Sequence, residues 1–300
     1  MITLKNISPL LQLMRPYQWS KNVFVFSGIL FGEHLMSLSM VIEAVVVFIA
    51  FSLVSSAVYI LNDYADLEQD RAHLVKRHRP LASGEVSERH AFILLLACLG
   101  SGLLLATLLS FFAELPYTVL ALLCIYFLIN VAYSFRLKDI IILDVFTIAS
   151  GFMLRLLAGT EGLNISASNW LLLCGIMTAL FIAFVKRRSE LFEYHSNPSD
   201  KPKEVLKQYS PQALDIFIVI TATSIVLSYS LYTMAPATAK VHGTEKLIYT
   251  VPIVAYGIFR YLHLLYTKAI GSDPARDLFQ DTHMLLTGLV WIFTTLVIIL

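Results

Sequence analysis

The sequence predicts an all-α, polytopic membrane bundle, and three observations predict it. The first is composition: 57% of the 300 residues are hydrophobic and 14% charged, against about 25% charged in soluble domains. The second is the run of apolar segments long enough to cross a bilayer, which needs about 20 such residues. The third is the lack of any strand-like alternation. Backbone groups in lipid must be satisfied within the segment, so apolar runs without a β-barrel period read as helices. A mean hydropathy of +0.73 agrees. This composition excludes a disordered chain, a nucleic-acid binder and a secreted disulfide scaffold, and speaks against a soluble enzyme. The net charge of +1 says little, because in a membrane protein the distribution of charge matters more than its sum.

Nine segments qualify in order: 16–32, 38–61, 90–112, 116–135, 140–159, 168–186, 212–234, 247–267 and 283–300. The first is short between Lys21 and Glu33 and must begin near Pro16, a residue tolerated in a first helical turn. The N-terminal stretch has no signal-peptide cleavage pattern, so this segment is expected to be retained. Cys98, Cys124 and Cys174 each sit inside an apolar run with no metal or redox spacing. No repeat or extramembrane domain is evident. One transmembrane domain over 1–300 is expected, with polar cytoplasmic loops at about 62–89 and 187–211.

Orientation follows from Lys and Arg. With the N-terminus in the cytoplasm, eighteen of the 22 fall on the cytoplasmic side, only Lys240 and Lys246 fall outside, and Arg155 and Arg260 lie within spans. That asymmetry predicts a cytoplasmic N-terminus, an external C-terminus and chemistry on the cytoplasmic face of the cell membrane.

The chemistry concentrates after the second segment, where residues 61–70 read LNDYADLEQD. If the helix continues, Asn62, Asp63, Asp66 and Asp70 share one face. Like charges at that spacing repel, so the cluster calls for a counter-charge. Mg2+ takes hard oxygen ligands and commonly links one or two carboxylates to substrate phosphates, so the pattern predicts a Mg2+–diphosphate site. The next stretch, RAHLVKRHRPLASGEVS (71–87), offers phosphate anchors, with Lys76 and Arg79 favoured. A plain topology-setting loop is the competing reading.

The N-D-x-x-D-x-x-x-D motif at the end of the second helix, followed by K-R-x-R-P-L-A-S-G, resembles the UbiA superfamily of intramembrane prenyltransferases. The resemblance covers essentially the whole chain and implies a nine-helix UbiA-like bundle. Prenyl-diphosphate users of that superfamily carry a second Asp-rich motif after the sixth helix. This chain has FVKRRSELFEYH (184–195) there. Lys186 and Arg187 are cations that hold phosphate directly. That departure resembles the decaprenyl-phosphate phosphoribosyltransferase branch, as do RPYQWSKN (15–22), LDVFTIASGFMLRLLAGT (143–160) and YGIFRYL (256–262). The branch implies Mg2+-dependent transfer of phosphoribose from a 5-phosphoribosyl-1-diphosphate donor to a lipid-phosphate acceptor, for envelope polysaccharide synthesis.

Intramembrane ionisable residues are functional candidates by default. Asp144 and Arg155 lie about three turns apart on one helix face, too far to pair directly. Lys21 is a candidate phosphate contact, and Tyr126, Asn130 and Tyr133, with Lys138 beyond, offer polar groups facing a candidate cavity. The superfamily spacing Tyr-x-x-x-Lys is one residue longer here. Arg260, Tyr256 and His263 are weaker candidates. Three rivals remain: a prenyltransferase using an aromatic acceptor, which predicts a second acidic cluster; a lipid transporter, which does not explain the acidic tetrad; and a scaffold without chemistry. A homo-oligomer stays open.

Overall fold

A computed structural model describes residues 8–31, 37–196, 204–268, 271 and 281–299. Among them every regular element is helical. Short helices α1 (Pro9–Met14) and α2 (Ser27–Phe31) flank a 3-10 helix at Pro16–Phe26. The order continues with α3 (Leu38–Ala65), α4 (Leu67–Ala72), α5 (Glu88–Phe112), α6 (Thr118–Phe135) and α7 (Leu143–Gly159). It ends with α8 (Asn169–Ser196), α9 (Pro211–Met234), α10 (Pro236–His242), α11 (Val251–Lys268) and α12 (Thr282–Ile299).

The starts of these helices are written in the sequence. Ser8, Ser37, Ser87 and Ser210 each stand just before a helix and accept a hydrogen bond from the backbone N–H three residues on. Each thereby satisfies a donor that the first turn would leave unpaired. Pro9 and Pro211 open two of them, where the missing N–H costs nothing.

Eight helices are long and apolar enough to cross a membrane among the described residues: α3, α5, α6, α7, α8, α9, α11 and α12. The chain is thus an integral, multi-pass protein. The expected first span is different in kind. Residues 16–26 wind as a tighter 3-10 helix before α2, so no α-helix of spanning length forms there. The second long loop also starts later than expected, because α8 runs on to Ser196.

The chain packs as two compact units. The first comprises residues up to Thr147 with Leu154–Ser166; the second comprises Ile148–Met153 and the residues from Ala167 onward. In the first, α3 is the central post, flanked by α5, α6 and the 3-10 segment. Its core includes Val25, Val47, Phe51, Val54, Ala106, Leu123 and Ala158. Gly102 of α5 meets α3 so closely that a Cβ there would lie 2.9 Å from the Ala50 carbonyl oxygen. Small residues at such crossings are what let helices approach in lipid, where no hydrophobic drive pushes them together.

The segment 15–26 runs antiparallel to α3. Arg15 meets Asp63, Trp19 donates to Ser56 at 3.0 Å, Asn22 donates to Ser52 at 2.9 Å, and the Phe26 ring lies 5.6 Å from Phe48. Ser52, Ser55 and Ser56 are all buried. Their small side chains leave room for the segment and give it polar partners. In the second unit α8 packs on α9, and α11 packs on both α9 and α12.

Candidate metal and phosphate site

The site begins where α3 stops. The helix ends at Ala65, Asp66 leaves the helical conformation, and α4 resumes at Leu67. This break divides the acidic face that a continuous helix would have carried. Asp63 and Asp70 turn inward and are only 3% and 2% exposed. Asp66 is half-buried and looks elsewhere.

Two buried carboxylates this close need a counter-charge, and the basic loop supplies one. Nη1 of Arg79 donates to Asp63 Oδ1 at 3.0 Å and to Asp70 Oδ2 at 2.5 Å. One nitrogen thus bridges both acids. Arg15 also donates to Asp63 Oδ1 and lies over the Tyr59 ring, 5.3 Å from its centroid. Arg15 owes this reach to its left-handed backbone at φ 53°, which ends α1 and turns the chain into the 3-10 segment. Asp66 accepts from Lys138 Nζ at 2.5 Å. Asn62 accepts the Ser134 hydroxyl, and that hydroxyl also lies 2.7 Å from the Asn130 carbonyl.

The tetrad therefore has three fates rather than one. Among the described residues no group of three His, Cys, Asp or Glu side chains is gathered for a metal ion. The donor chemistry of Asp63 and Asp70 nevertheless fits Mg2+, which is satisfied with one or two carboxylates when phosphates and water complete its shell. A cationic nitrogen already occupies the position between them. Asp66 and Asn62, expected beside them as ligands, are turned to Lys138 and Ser134.

The second feature of this unit is a polar network buried in the bundle. Arg155 is 5% exposed. Its Nε donates to Asn22 Oδ1 at 2.6 Å and its Nη2 to the Tyr126 hydroxyl at 2.9 Å. The guanidinium also stacks on the Tyr126 ring at 4.8 Å. A charged group at membrane depth survives only when such partners replace water. Asp144 is fully buried at the start of α7. Lys21 and Tyr133 are half-buried. Lys76 is half-buried and holds no ion pair among the described residues.

Lys186 and Arg187 belong to the second unit. Arg187 is 1% exposed and donates to Glu190 at 2.5 Å; Lys186 is half-buried. Arg188 donates to Asp215 at 2.6 Å and lies over the Tyr266 ring at 4.3 Å. Arg260, considered for a site role, is held by a two-pronged bond to Asp281 at 3.1 and 2.7 Å. Sequence reasoning placed Tyr126 among polar groups facing a cavity and left Arg15, Asn22 and Ser134 out of the site. All four stand as polar residues in the RPYQWSKN segment or on α6, but nothing in spacing tells that Arg15 reaches Asp63, 48 residues away.

With this geometry in place, the comparisons are informative. The sequence model of the UbiA prenyltransferase family matches residues 23–289. The chain is 30% identical over 295 residues to a protein of Corynebacterium glutamicum named decaprenyl-phosphate phosphoribosyltransferase, covering 96% of this chain and 86% of that one. A protein of the same name from Mycolicibacterium smegmatis is 29% identical, with 96% and 91% covered. Among solved structures, a UbiA homolog from Archaeoglobus fulgidus bound to GPP and Mg2+ superposes with a TM-score of 0.69 at 18% identity, covering 97% of this chain and 99% of that one. The last likeness speaks for the fold.

Proposed function

The chain belongs to the UbiA prenyltransferase family, and on that premise we propose that this membrane transferase moves 5-phosphoribose from 5-phosphoribosyl-1-diphosphate to a polyprenyl phosphate of the decaprenyl type. The products are diphosphate and polyprenyl-phosphoryl-5-phosphoribose, a lipid-linked pentose for cell-envelope polysaccharide. The observation that carries the reading is the Asp63–Arg79–Asp70 bridge, a pair of buried acids with a cation between them at a helix end. The relatives' names support the lipid-phosphate acceptor and the phosphoribosyl group, and the bridge supports a diphosphate and its metal beside these acids.

Asp63 and Asp70 would hold Mg2+ in this reading, and the ion would supply neutralisation of the charge that develops on the leaving diphosphate. Arg79, Arg15 and Lys76 offer donors to the departing diphosphate. Guanidinium groups suit that task because their planar forks match phosphate oxygens. The ribosyl carbon passes through an oxocarbenium-like state, as in other glycosyl transfers. The attacking group is an already ionised phosphate oxygen of the lipid, so no side chain needs to take a proton from it. Lys186 and Arg187, within α8 and without a second Asp pair beside them, favour a phosphate-bearing substrate over a second metal site. Lys21, Tyr133, Lys138, Asp144 and Arg155 complete the proposed substrate environment, Asp66 and Asn62 acting through Lys138 and Ser134. The active site faces the cytoplasm of the cell membrane, and a homo-oligomer fits the reading equally.

The test is transfer of label. Membranes containing the protein, polyprenyl phosphate, Mg2+ and donor labelled in the ribose should yield label in the organic extract. That label should vanish with a chelator or without acceptor. Turnover of a prenyl diphosphate with an aromatic acceptor, and no extractable ribose, would overturn the substrate assignment.

A further inference from the structure

Asp63 and Asp70 are not equivalent, and the difference lies in how each is compensated. Asp63 has two cations, Arg15 and Arg79. Asp70 has Arg79 alone among the described residues. The two arginines differ as well. Arg15 is fixed at a helix end and stacks on Tyr59. Arg79 is the more exposed of the two, at 31% against 18% of the side chain. It stands in a loop that is pinned just beyond it, where Leu81 and Val86 enter the core with Leu67 and Ala91. Its backbone is therefore anchored while its side chain borders solvent, so it can leave by changing rotamer alone.

Resting on the metal reading above, we propose that Arg79 is an exchangeable counter-ion for the Asp63–Asp70 pair. It neutralises the acids when the site is empty, gives way to a divalent cation, and transfers its guanidinium to the diphosphate that arrives with the metal. Arg15 stays on Asp63 throughout, which leaves Asp70 as the acid whose charge the metal must replace.

The exchange has a thermodynamic consequence. A divalent cation binding alone must break both Arg79 bonds and leave that guanidinium in water, so it binds weakly. When diphosphate is present the displaced guanidinium regains an anionic partner. Metal and diphosphate then strengthen each other's binding by the same factor. The device would keep two buried carboxylates compensated between turnovers, when neither water nor metal could do so at lower cost.

The test uses the full-length protein in detergent, with Mn2+ as the probe, read by its spin-resonance signal, and with inorganic diphosphate as the second ligand. Arg79→Gln should bind Mn2+ alone at least tenfold more tightly than the unaltered protein, and diphosphate should improve its Mn2+ affinity by a smaller factor. Without divalent ions Arg79→Gln should melt at a lower temperature, and Mn2+ should raise its melting point more than that of the unaltered protein. A residue with a merely structural role would lower the melting point without tightening Mn2+ binding. Equal or weaker Mn2+ binding by Arg79→Gln, with binding lost in Asp70→Asn, would overturn the exchange and leave the metal reading standing. No Mn2+ binding by any variant, with or without diphosphate, would overturn both. Should Arg79→Gln fail to fold, Arg79→Lys gives the same decision: the bridge is made by one nitrogen at the end of the Arg79 side chain, and the shorter lysine reaches both acids less well, so tighter Mn2+ binding supports the exchange and unchanged or weaker binding overturns it.

Discussion

Asp66 and Lys138 show how far the partner that a side chain finds in the fold can lie from the one its spacing suggests. Spacing placed Asp66 with Asp63 and Asp70, and the helix break at that very residue turned it to Lys138 at 2.5 Å. Both partners remain partly exposed, at 31% and 24% of their side chains, so the pair itself contributes little to stability, about 0.2–1 kcal/mol. In the proposed reaction its value is positional: Asp66 would hold Lys138 in place for an anionic substrate. Lys138→Met should act mainly by raising the KM for an anionic substrate, and Asp66→Asn, which acts through Lys138, should raise it in the same direction and by no more, while the protein still inserts and folds. Steady-state kinetics of both variants in detergent check this, and an unchanged KM in Asp66→Asn would remove it from the site. Arg155 contrasts with this pair. Its buried bonds to Asn22 and Tyr126 mean that Arg155→Met takes the partner from the Asn22 side-chain oxygen and leaves the Tyr126 hydroxyl with its 3.4 Å bond to Ser55. Each buried polar group left unsatisfied costs about 1–3 kcal/mol, so a lower melting temperature is expected there before any kinetic change.

Among the elements, the segment from Arg15 to Phe31 carries the most consequence for its length. It delivers Arg15 to Asp63 and Asn22 to Arg155, and it is seated by a pair of glycines. A Cβ on Gly159 would lie 1.7 Å from the Val25 carbonyl oxygen, and one on Gly28 would lie 1.9 Å from the Gly159 carbonyl oxygen. Those neighbours are backbone and cannot swing aside. Gly159→Ala should therefore push the segment off α7, destabilise the protein and weaken the Arg155–Asn22 bond, whereas Gly100→Ala, which meets open space, should be silent. Melting temperatures of the two variants in detergent measure the contrast; equal values would mean that the contact relaxes freely. The helices themselves were legible in the sequence, because apolar length and serine caps are local signals. The glycine contact was not, since Gly28 and Gly159 meet only after the chain has folded. The same holds for the cationic loop: its charges were plain, but the choice of Arg79 over Lys76 to bridge the acids depends on where Leu81 and Val86 anchor it. The break at Asp66 was also hidden, because nothing in LNDYADLEQD forbids a continuous helix.

For the whole molecule, the number of crossings decides on which side the N-terminus lies, and the 3-10 segment decides the number. A 3-10 helix rises about 2.0 Å per residue and an α-helix about 1.5 Å. Residues 16–31 would thus extend about 30 Å, close to the hydrocarbon thickness of about 30 Å. Fewer residues reach across because the winding is tighter. The register against α3 points the same way, since contacts run in order from Arg15–Asp63 at one end to Phe26–Phe48 toward the other. A segment lying along the membrane surface would not meet successive turns of a spanning helix. On the proposed count of nine crossings the N-terminus would lie in the cytoplasm beside the acid pair and the C-terminus outside. If residues 16–31 did not cross, the basic loop at 71–79 would still be cytoplasmic by its charge, and both termini would lie outside. An epitope at the N-terminus is the deciding probe. In cells with an intact membrane it should resist added protease while a C-terminal epitope is removed, and it should be cut once the membrane is permeabilised. Cleavage of both epitopes in intact cells would mean eight crossings. Arg15 would then have to approach Asp63 from the outer face, which the position of Asp63 at the end of α3 that joins the basic loop does not allow without unwinding the helix that presents it.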